Sequence, residues 1–183
     1  MEHECPFGRC GKDAFLRYTA FLLETRIRNS QHMVSSMNIE ASSRLSGYET
    51  WEGHDPFEDH AGPFYFRQHE DGRITSAFEA KPHHCNGGGF LHGGLLLTFA
   101  DFSLFAIGRS VLQGPSVTLS LNGEFTAAAG AGEFVEARGD IVRNTGSMVF
   151  LRGQVFTGHG AEERILLNFS GIVKRVKKRP LSN

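Results

Sequence analysis

Residues 84–101 read HCNGGGFLHGGLLLTFAD, a glycine-rich loop that runs into a strongly apolar segment. This segment continues to Leu112 and, drawn as a helix, is apolar on nearly every side. Such a helix is either buried in a protein core or inserted in a membrane. Asp101 lies near its middle, where a charge costs roughly 2.5 to 3.5 kcal/mol on membrane-insertion scales. We therefore predict a buried helix over 91–112 with a sheet wrapped around it.

The carboxyl group of Asp101 has no cationic neighbour on the predicted helix. The residues three and four positions away are Leu97, Thr98, Leu104 and Phe105. A buried, unpaired carboxyl group is costly, and its pKa tends to rise. One interpretation is a structural Asp101 that is bonded to Thr98 and backbone donors, or paired with a distant Arg. The other, which the apolar helix favours, is a general base or nucleophile in a dry site.

Three residues, His92, Gly93 and Gly94, open the predicted helix. The first turn of a helix has free backbone N–H groups and a partial positive charge. Because glycine has no side chain, a substrate oxygen can approach these groups closely, which makes an oxyanion hole feasible. Asn86, six residues before His92, carries an amide that can donate to the same oxygen. The alternative is a plain glycine-rich turn, with His92 as a cap and Asn86 as a turn residue.

An alternation of apolar and polar residues with period two follows the helix. Residues 116–125 alternate Val117, Leu119 and Leu121 with polar residues, which is typical of a strand. Two segments before the helix, joined through Asp-Gly, indicate a hairpin. The predicted strands are 62–68, 73–80, 116–125, 133–143, 147–157 and 164–175. One long helix among antiparallel strands is an α+β pattern and not an alternating βαβ one.

The length, net charge and cysteine content of the chain exclude several classes of protein. The chain has 183 residues, which suits one domain and is too short for two full enzyme domains. Its net charge is −1, whereas a dedicated nucleic-acid binder has a strong basic excess, so we expect no nucleic-acid partner. The cysteines Cys5, Cys10 and Cys85 are too few for a disulfide framework. His3, Cys5 and Cys10 are three scattered potential ligands near the N-terminus, which do not make a tetrahedral zinc site, so we expect no metal.

The first 54 residues differ in pattern from the rest and are interpreted as an N-terminal extension. Residues 14–28 have apolar residues at near-helical spacing, which predicts a short amphipathic helix before a polar linker. The extension packs on the main domain, is partly disordered, or lies upstream of a start at Met33 or Met37. The main domain is predicted over 55–183. Because the N-terminus lacks a secretory-signal pattern, we expect a cytoplasmic protein with no membrane partner.

Eight positions of the quoted stretch fit the pattern H-x-N-x-x-G-x-L-H-G-G, with an Asp seven positions after its last glycine. They are His84, Asn86, Gly89, Leu91, His92, Gly93, Gly94 and Asp101. In this pattern the chain resembles the hotdog-fold acyl-CoA thioesterases of the PaaI type. The resemblance implies a hotdog fold, in which a curved antiparallel sheet wraps around one long central helix. It covers residues 55–175 and leaves the N-terminal extension unexplained.

The resemblance also implies roles for individual residues. Gly93 and Asn86 would donate to the thioester carbonyl, and His92 would support that end of the site. Asp101 would activate water or attack the carbonyl carbon directly. A Thr or Ser on the first strand after the helix, here Thr118, would help to hold the water. Three further matched positions, His84, Gly89 and Gly94, are expected to contact substrate. The implied substrate is an acyl-CoA, and the implied chemistry requires no cofactor.

The spacing of Gly93 and Asp101 predicts how such a site must be built. Eight residues of helix correspond to roughly 12 Å of rise, so one helix cannot deliver both groups to one carbonyl. Two antiparallel helices related by a two-fold axis can. We therefore predict a homodimer with two sites at its interface, and hotdog dimers often pair into homotetramers.

Two other functions are compatible with the same set of residues. An acyl-thioester dehydratase or hydratase also needs a His and a carboxylate, although the spacing from HGG to Asp101 favours hydrolysis. A non-catalytic acyl-CoA-binding or sensor protein would have no need of a buried base. Asp101 and Asn86 are therefore the residues that discriminate an enzyme from a binding module.

Overall fold

The computed structural model describes residues 44–51 and 55–176 of the chain. The helix predicted over 14–28 and the cysteines Cys5 and Cys10 lie outside the described residues. The boundary between the extension and the main domain stays a prediction.

Six strands and two α-helices are described. The strands are β1 (Tyr65–Gln68), β2 (Ile74–Glu79), β3 (Ser116–Phe125), β4 (Phe134–Asn144), β5 (Met148–Thr157) and β6 (Arg164–Arg175). The helices are α1 (Pro56–Ala61) and the long α2 (Gly93–Gly108), with 3₁₀ turns at Pro82–His84 and Gly160–Glu162. All six predicted strands and the long helix are present in the predicted order, which confirms the α+β class.

Helix α2 is shorter than the predicted 91–112. It begins after His92, whose ring Nδ1 accepts a backbone N–H of the first turn at 2.9 Å. It ends at Gly108. Val111 and Leu112 lie in the turn that follows and still pack against the core, which is why their apolar character lengthened the prediction.

Helix α1 is a feature that the periodicity of the sequence did not predict. Its N-cap is Asp55, whose Oδ1 accepts the N–H groups of Phe57 and Glu58 at 3.0 and 3.1 Å. Pro56 stands at the first helical position, where its missing N–H would have no partner within the helix. The Asp-Pro pair is the local signal from which this helix could have been predicted.

The sheet is antiparallel throughout, with the spatial order β1-β2-β4-β5-β6-β3. Helix α2 packs across one of its faces and contacts every strand from β2 to β6. The register shifts at three points, one of them between Thr118 and Ser120 of β3. Such bulges bend strands, so the sheet wraps around the helix. Strands β1 and β3 form its two edges.

Phenylalanine rings fill the space between α2 and the sheet. Phe64, Phe78, Phe99 and Phe102 are each at most 2% exposed. The ring centroid of Phe99 lies 4.7 Å from that of Phe78 and 5.3 Å from that of Phe64, within the range of favourable aromatic pairs. The prediction that α2 is a buried helix is confirmed. Within the described ranges, no helix is long and apolar enough to span a membrane.

Three glycines of the sheet allow α2 to approach the strands closely. A Cβ atom added at each would press on a side chain of the helix: Gly123 on Leu97, Gly139 on Ile107 and Gly171 on Leu104. The position of the helix, and of every side chain that it carries, therefore depends on these strand positions having no side chain.

We expect Gly171→Ala to lower the free energy of unfolding by about 1 to 3 kcal/mol, because the added methyl group overpacks against Leu104. Gly146→Ala is the matched control. Gly146 lies in an exposed turn with open space at its Cβ position, so its change is expected within about 0.5 kcal/mol. Urea unfolding followed by circular dichroism measures both variants. Equal stabilities would contradict the close approach of α2 to β6.

Candidate functional site

Asp101 lies in the middle of α2, half-buried, and it is bonded to the edge strand β3. Its Oδ1 accepts a hydrogen bond from the hydroxyl of Thr118 at 2.7 Å. A structural Asp101 was expected to bond to Thr98. Among the described residues no such bond is present, because the Thr98 hydroxyl donates to the carbonyl of Gly94 at 2.9 Å. The structure therefore brings together two predicted site residues that are distant in sequence.

A cavity of about 550 Å³ opens at Asp101. Its apolar lining includes Trp51, Phe105 and Leu112, and its polar lining includes Asp55, Glu58, Asp101, Arg109 and Thr118. Burial raises the pKa of Asp101, and the negative charge of Asp55 adds to this. The hydrogen bond from Thr118 acts in the opposite direction, because it stabilises the ionised carboxylate. The cavity thus holds a carboxyl group whose proton affinity is increased.

Glu58 is a member of this cavity that the sequence analysis missed. It lies on α1, which packs against α2. Burial, followed by the negative charges of Asp55, Asp101 and Asp59, raises the pKa of Glu58 to about 7. No short motif links Glu58 to Asp101, so only the packing of the two helices could have identified it.

The start of α2 offers a backbone donor. The N–H of Gly94 bonds to Nδ1 of His92, and the N–H groups of Leu95 and Leu96 bond to the His92 carbonyl at 3.0 and 3.2 Å. Within the described residues, no acceptor is bonded to the N–H of Gly93. His92 therefore acts as the helix cap and occupies the N–H of Gly94, whereas the N–H of Gly93 remains available at the positive end of the helix.

The loop before the helix folds around the side chain of Asn86. Its Oδ1 accepts the N–H groups of Gly88 and Phe90 at 2.9 and 3.3 Å. Gly89 has a φ of +82°, a conformation that side chains other than glycine rarely adopt, and it closes this turn. Since the Asn86 oxygen is used within the loop, its amide NH₂ is the group left to meet a ligand.

His84 is buried, with 4% of its surface exposed. Its Nδ1 accepts the N–H of Lys81 at 3.0 Å, and its carbonyl accepts the N–H of His92 at 2.9 Å. Burial, and secondarily the neighbouring His83, lower the pKa of His84 to about 4, so the ring is neutral. These contacts fit a residue that positions the loop against the helix start, and its predicted contact with substrate stays a prediction.

The predicted site residues thus form two groups within one chain. Asn86, His92 and Gly93 lie at the start of α2, and Asp101 lies with Thr118 further along. Among the described residues, the lining of the cavity at Asp101 includes none from the first group. One chain keeps the two groups apart, as their spacing along the helix requires.

Comparisons with known proteins identify relatives of this arrangement. The family model described as "Thioesterase superfamily" matches residues 88–163. A Pseudomonas aeruginosa protein named "Putative esterase PA0474" is 33% identical over 120 residues, which cover 64% of this chain and 86% of that protein.

Two solved structures from Thermus thermophilus have similar folds. The TT0310 protein has 30% identity and a TM-score of 0.57, covering 67% of this chain and 98% of its own. A mutant of the phenylacetic acid degradation protein PaaI has 29% identity and a TM-score of 0.57, covering 67% of this chain and 100% of its own. These likenesses confirm the hotdog fold and the resemblance on which it was predicted.

Stability should respond to pH through Glu58. Its pKa rises on folding from 4.5 to about 7, so the native protein binds more protons than the unfolded chain between these values. Stability due to this group is therefore lost as pH rises through that window. We expect Glu58→Gln to raise the melting temperature at about pH 8, with the gain shrinking towards about pH 4.5.

Differential scanning fluorimetry across that range measures the effect. Glu70→Gln is the control, since Glu70 lies exposed in the turn between β1 and β2. A melting temperature of Glu58→Gln at or below that of the wild type at the higher pH would contradict the environment described for Glu58.

Proposed function

The chain belongs to the thioesterase superfamily, and on this premise we propose that it hydrolyses an acyl-CoA to the free acid and CoA. Membership supports a thioester hydrolase in general, and the acyl-CoA substrate and the residue roles are the finer proposal. In that proposal, Asp101 of one subunit activates water, and the partner subunit's Gly93 and the partner subunit's Asn86 bind the carbonyl oxygen.

The observation that carries the proposal is the Asp101–Thr118 pair in its cavity. Asp101 accepts a proton from a water molecule as that water attacks the carbonyl carbon of the thioester. A base whose pKa is raised towards the working pH is more effective, and burial changes the pKa of Asp101 in that direction. Thr118 orients the carboxylate and offers its own oxygen to the water.

The helix start supplies the complementary group. The attack places a negative charge on the former carbonyl oxygen, and the N–H of Gly93 with the amide of Asn86 can donate to it. One such donor is worth roughly a hundred- to a thousand-fold in rate. Collapse of the tetrahedral intermediate then breaks the C–S bond and expels the thiolate.

The edge strand β3 supports assembly as a homodimer. Val117, Leu119 and Phe125 are 45%, 53% and 53% exposed, an unusual density of apolar side chains on one edge. Thr118, between two of them, faces Asp101. A Cβ atom added at Gly93 would lie 3.1 Å from the ring of Phe125, so this edge also borders the helix start. A partner seated on β3 would lie next to both groups.

We expect Asp101→Asn to lower turnover by about a hundred- to ten-thousand-fold while acyl-CoA still binds, because the amide cannot accept the proton. Free thiol release from octanoyl-CoA and benzoyl-CoA measures turnover, and isothermal titration calorimetry measures binding. Asp140→Asn, which changes a carboxylate on β4 away from the cavity, is the control. Undiminished turnover in Asp101→Asn would overturn the mechanism, and binding without any thiol release by the wild type would favour a sensor.

Mixed dimers test whether a site is shared between subunits. Asn86→Asp keeps an oxygen for the N–H groups of Gly88 and Phe90 but removes the amide donor. We expect Asn86→Asp and Asp101→Asn each to be nearly inactive, and a mixture refolded together at equal amounts to regain about a quarter of the wild-type activity. Only a heterodimer places the intact halves of both chains in one site. A mixture no more active than its components would contradict the shared site.

A further inference from the structure

The cavity at Asp101 holds a second carboxyl group, from a different helix. Glu58 of α1 and Asp101 of α2 line the same cavity together with Thr118 of β3. The mechanism above uses Asp101 and Thr118 and leaves Glu58 without a role. Two carboxyl groups in one partly buried cavity do not both ionise easily, because each charge opposes the other.

The two carboxyl groups have different surroundings. Thr118 donates to Asp101 and so favours its ionised form. No donor contacts the side chain of Glu58 within the described part of the chain, although its own backbone N–H is bonded to Asp55. The two environments therefore favour a charged Asp101 and a protonated Glu58, and such a separation of proton affinities is the usual sign of an acid and a base.

The charged groups around Glu58 add to this effect. The charges of Asp55, the N-cap of α1, of Asp101 on α2 and of Asp59 on α1 all raise its pKa. Arg109 is the one cation that lines the cavity in the described ranges. Its guanidinium lies 4.6 Å from the ring centroid of Phe66 and 3.9 Å from the carboxylate of Glu49, and the charges that shift the pKa of Glu58 are those of the three aspartates. Trp51 contributes an apolar wall to the cavity.

We propose that Glu58 is the general acid of the reaction, which holds a proton beside Asp101 and delivers it to the sulfur of the departing thiol. This inference rests on the proposed hydrolysis of a thioester. The cysteine thiol has an ordinary pKa of about 8.5, and a departing sulfur of similar basicity leaves more readily as the neutral thiol when an acid supplies a proton. A donor with a pKa of about 7 is well matched to that task near neutral pH.

The protons balance over one cycle. Asp101 takes one proton from water, and the remaining hydroxide forms the C–O bond of the tetrahedral intermediate. The C–S bond then breaks, its electron pair goes to sulfur, and Glu58 protonates that sulfur. Asp101 passes its proton to the Glu58 carboxylate, which restores both groups. The products are a carboxylic acid and a thiol.

A leaving-group comparison tests the role of Glu58. Glu58→Gln cannot donate a proton to sulfur, so turnover of benzoyl-CoA is expected to fall by about a hundred-fold. The same benzoyl group on 4-nitrothiophenol leaves as a weakly basic thiolate that needs no proton, so its turnover is expected to stay within about two-fold. In the wild type, turnover of benzoyl-CoA should decline as pH rises through about 7, as Glu58 loses its proton, and the aryl thioester should show no such decline.

Controls separate this inference from a structural role and from the proposed function. Glu58→Asp keeps a carboxyl group, so it should retain part of the benzoyl-CoA turnover that Glu58→Gln loses. Asp101→Asn should slow the turnover of both thioesters. An equal loss with both thioesters in Glu58→Gln, or no loss with either, would overturn the role of Glu58 while leaving hydrolysis intact. The two-substrate pH profile of the wild type decides the question even when Glu58→Gln fails to fold. A wild type that releases no thiol from either substrate overturns the proposed function and this role together.

Discussion

The hydrogen bond between Thr118 and Asp101 joins the edge strand β3 to the central helix α2. At 2.7 Å, it gives a half-buried carboxylate one strong donor. Without such a donor, burial alone would favour the neutral acid at this position. The bond depends in turn on how closely the helix approaches the sheet, which the glycines beneath it determine.

Much of the fold could be predicted from the sequence because its signals are local. Period-two alternation and turn residues together located all six strands, and the apolar run located the long helix, with errors at the ends of these elements; the short helix α1 was missed. A cap role for His92 was one of two interpretations that the sequence left open, and the N–H of Gly94 bonds to its ring Nδ1 as that interpretation requires. Asp101 could be identified because a carboxyl group in an apolar helix always requires an explanation.

The sequence could not reveal what depends on packing between distant elements. Glu58 belongs to a short helix that precedes the β1–β2 hairpin in the chain, and it lines the cavity only because α1 lies against α2. The burial of His84 could not be predicted either. The family pattern predicts that His84 contacts substrate, but it does not indicate which side of the loop faces the core. The apolar side chains of β3 fit a strand, but alternation cannot tell a core face from an exposed edge.

Alternate residues of strand β3 have different surroundings. Thr118 bonds to the acid on the helix, while its neighbours Val117 and Leu119 are 45% and 53% exposed. A single insertion or deletion before Thr118 would exchange these surroundings, setting a hydrocarbon side chain against the carboxylate and a hydroxyl on the outer edge. Length variation in the Gln113–Pro115 turn that precedes β3 should therefore be far less tolerated than in other surface turns.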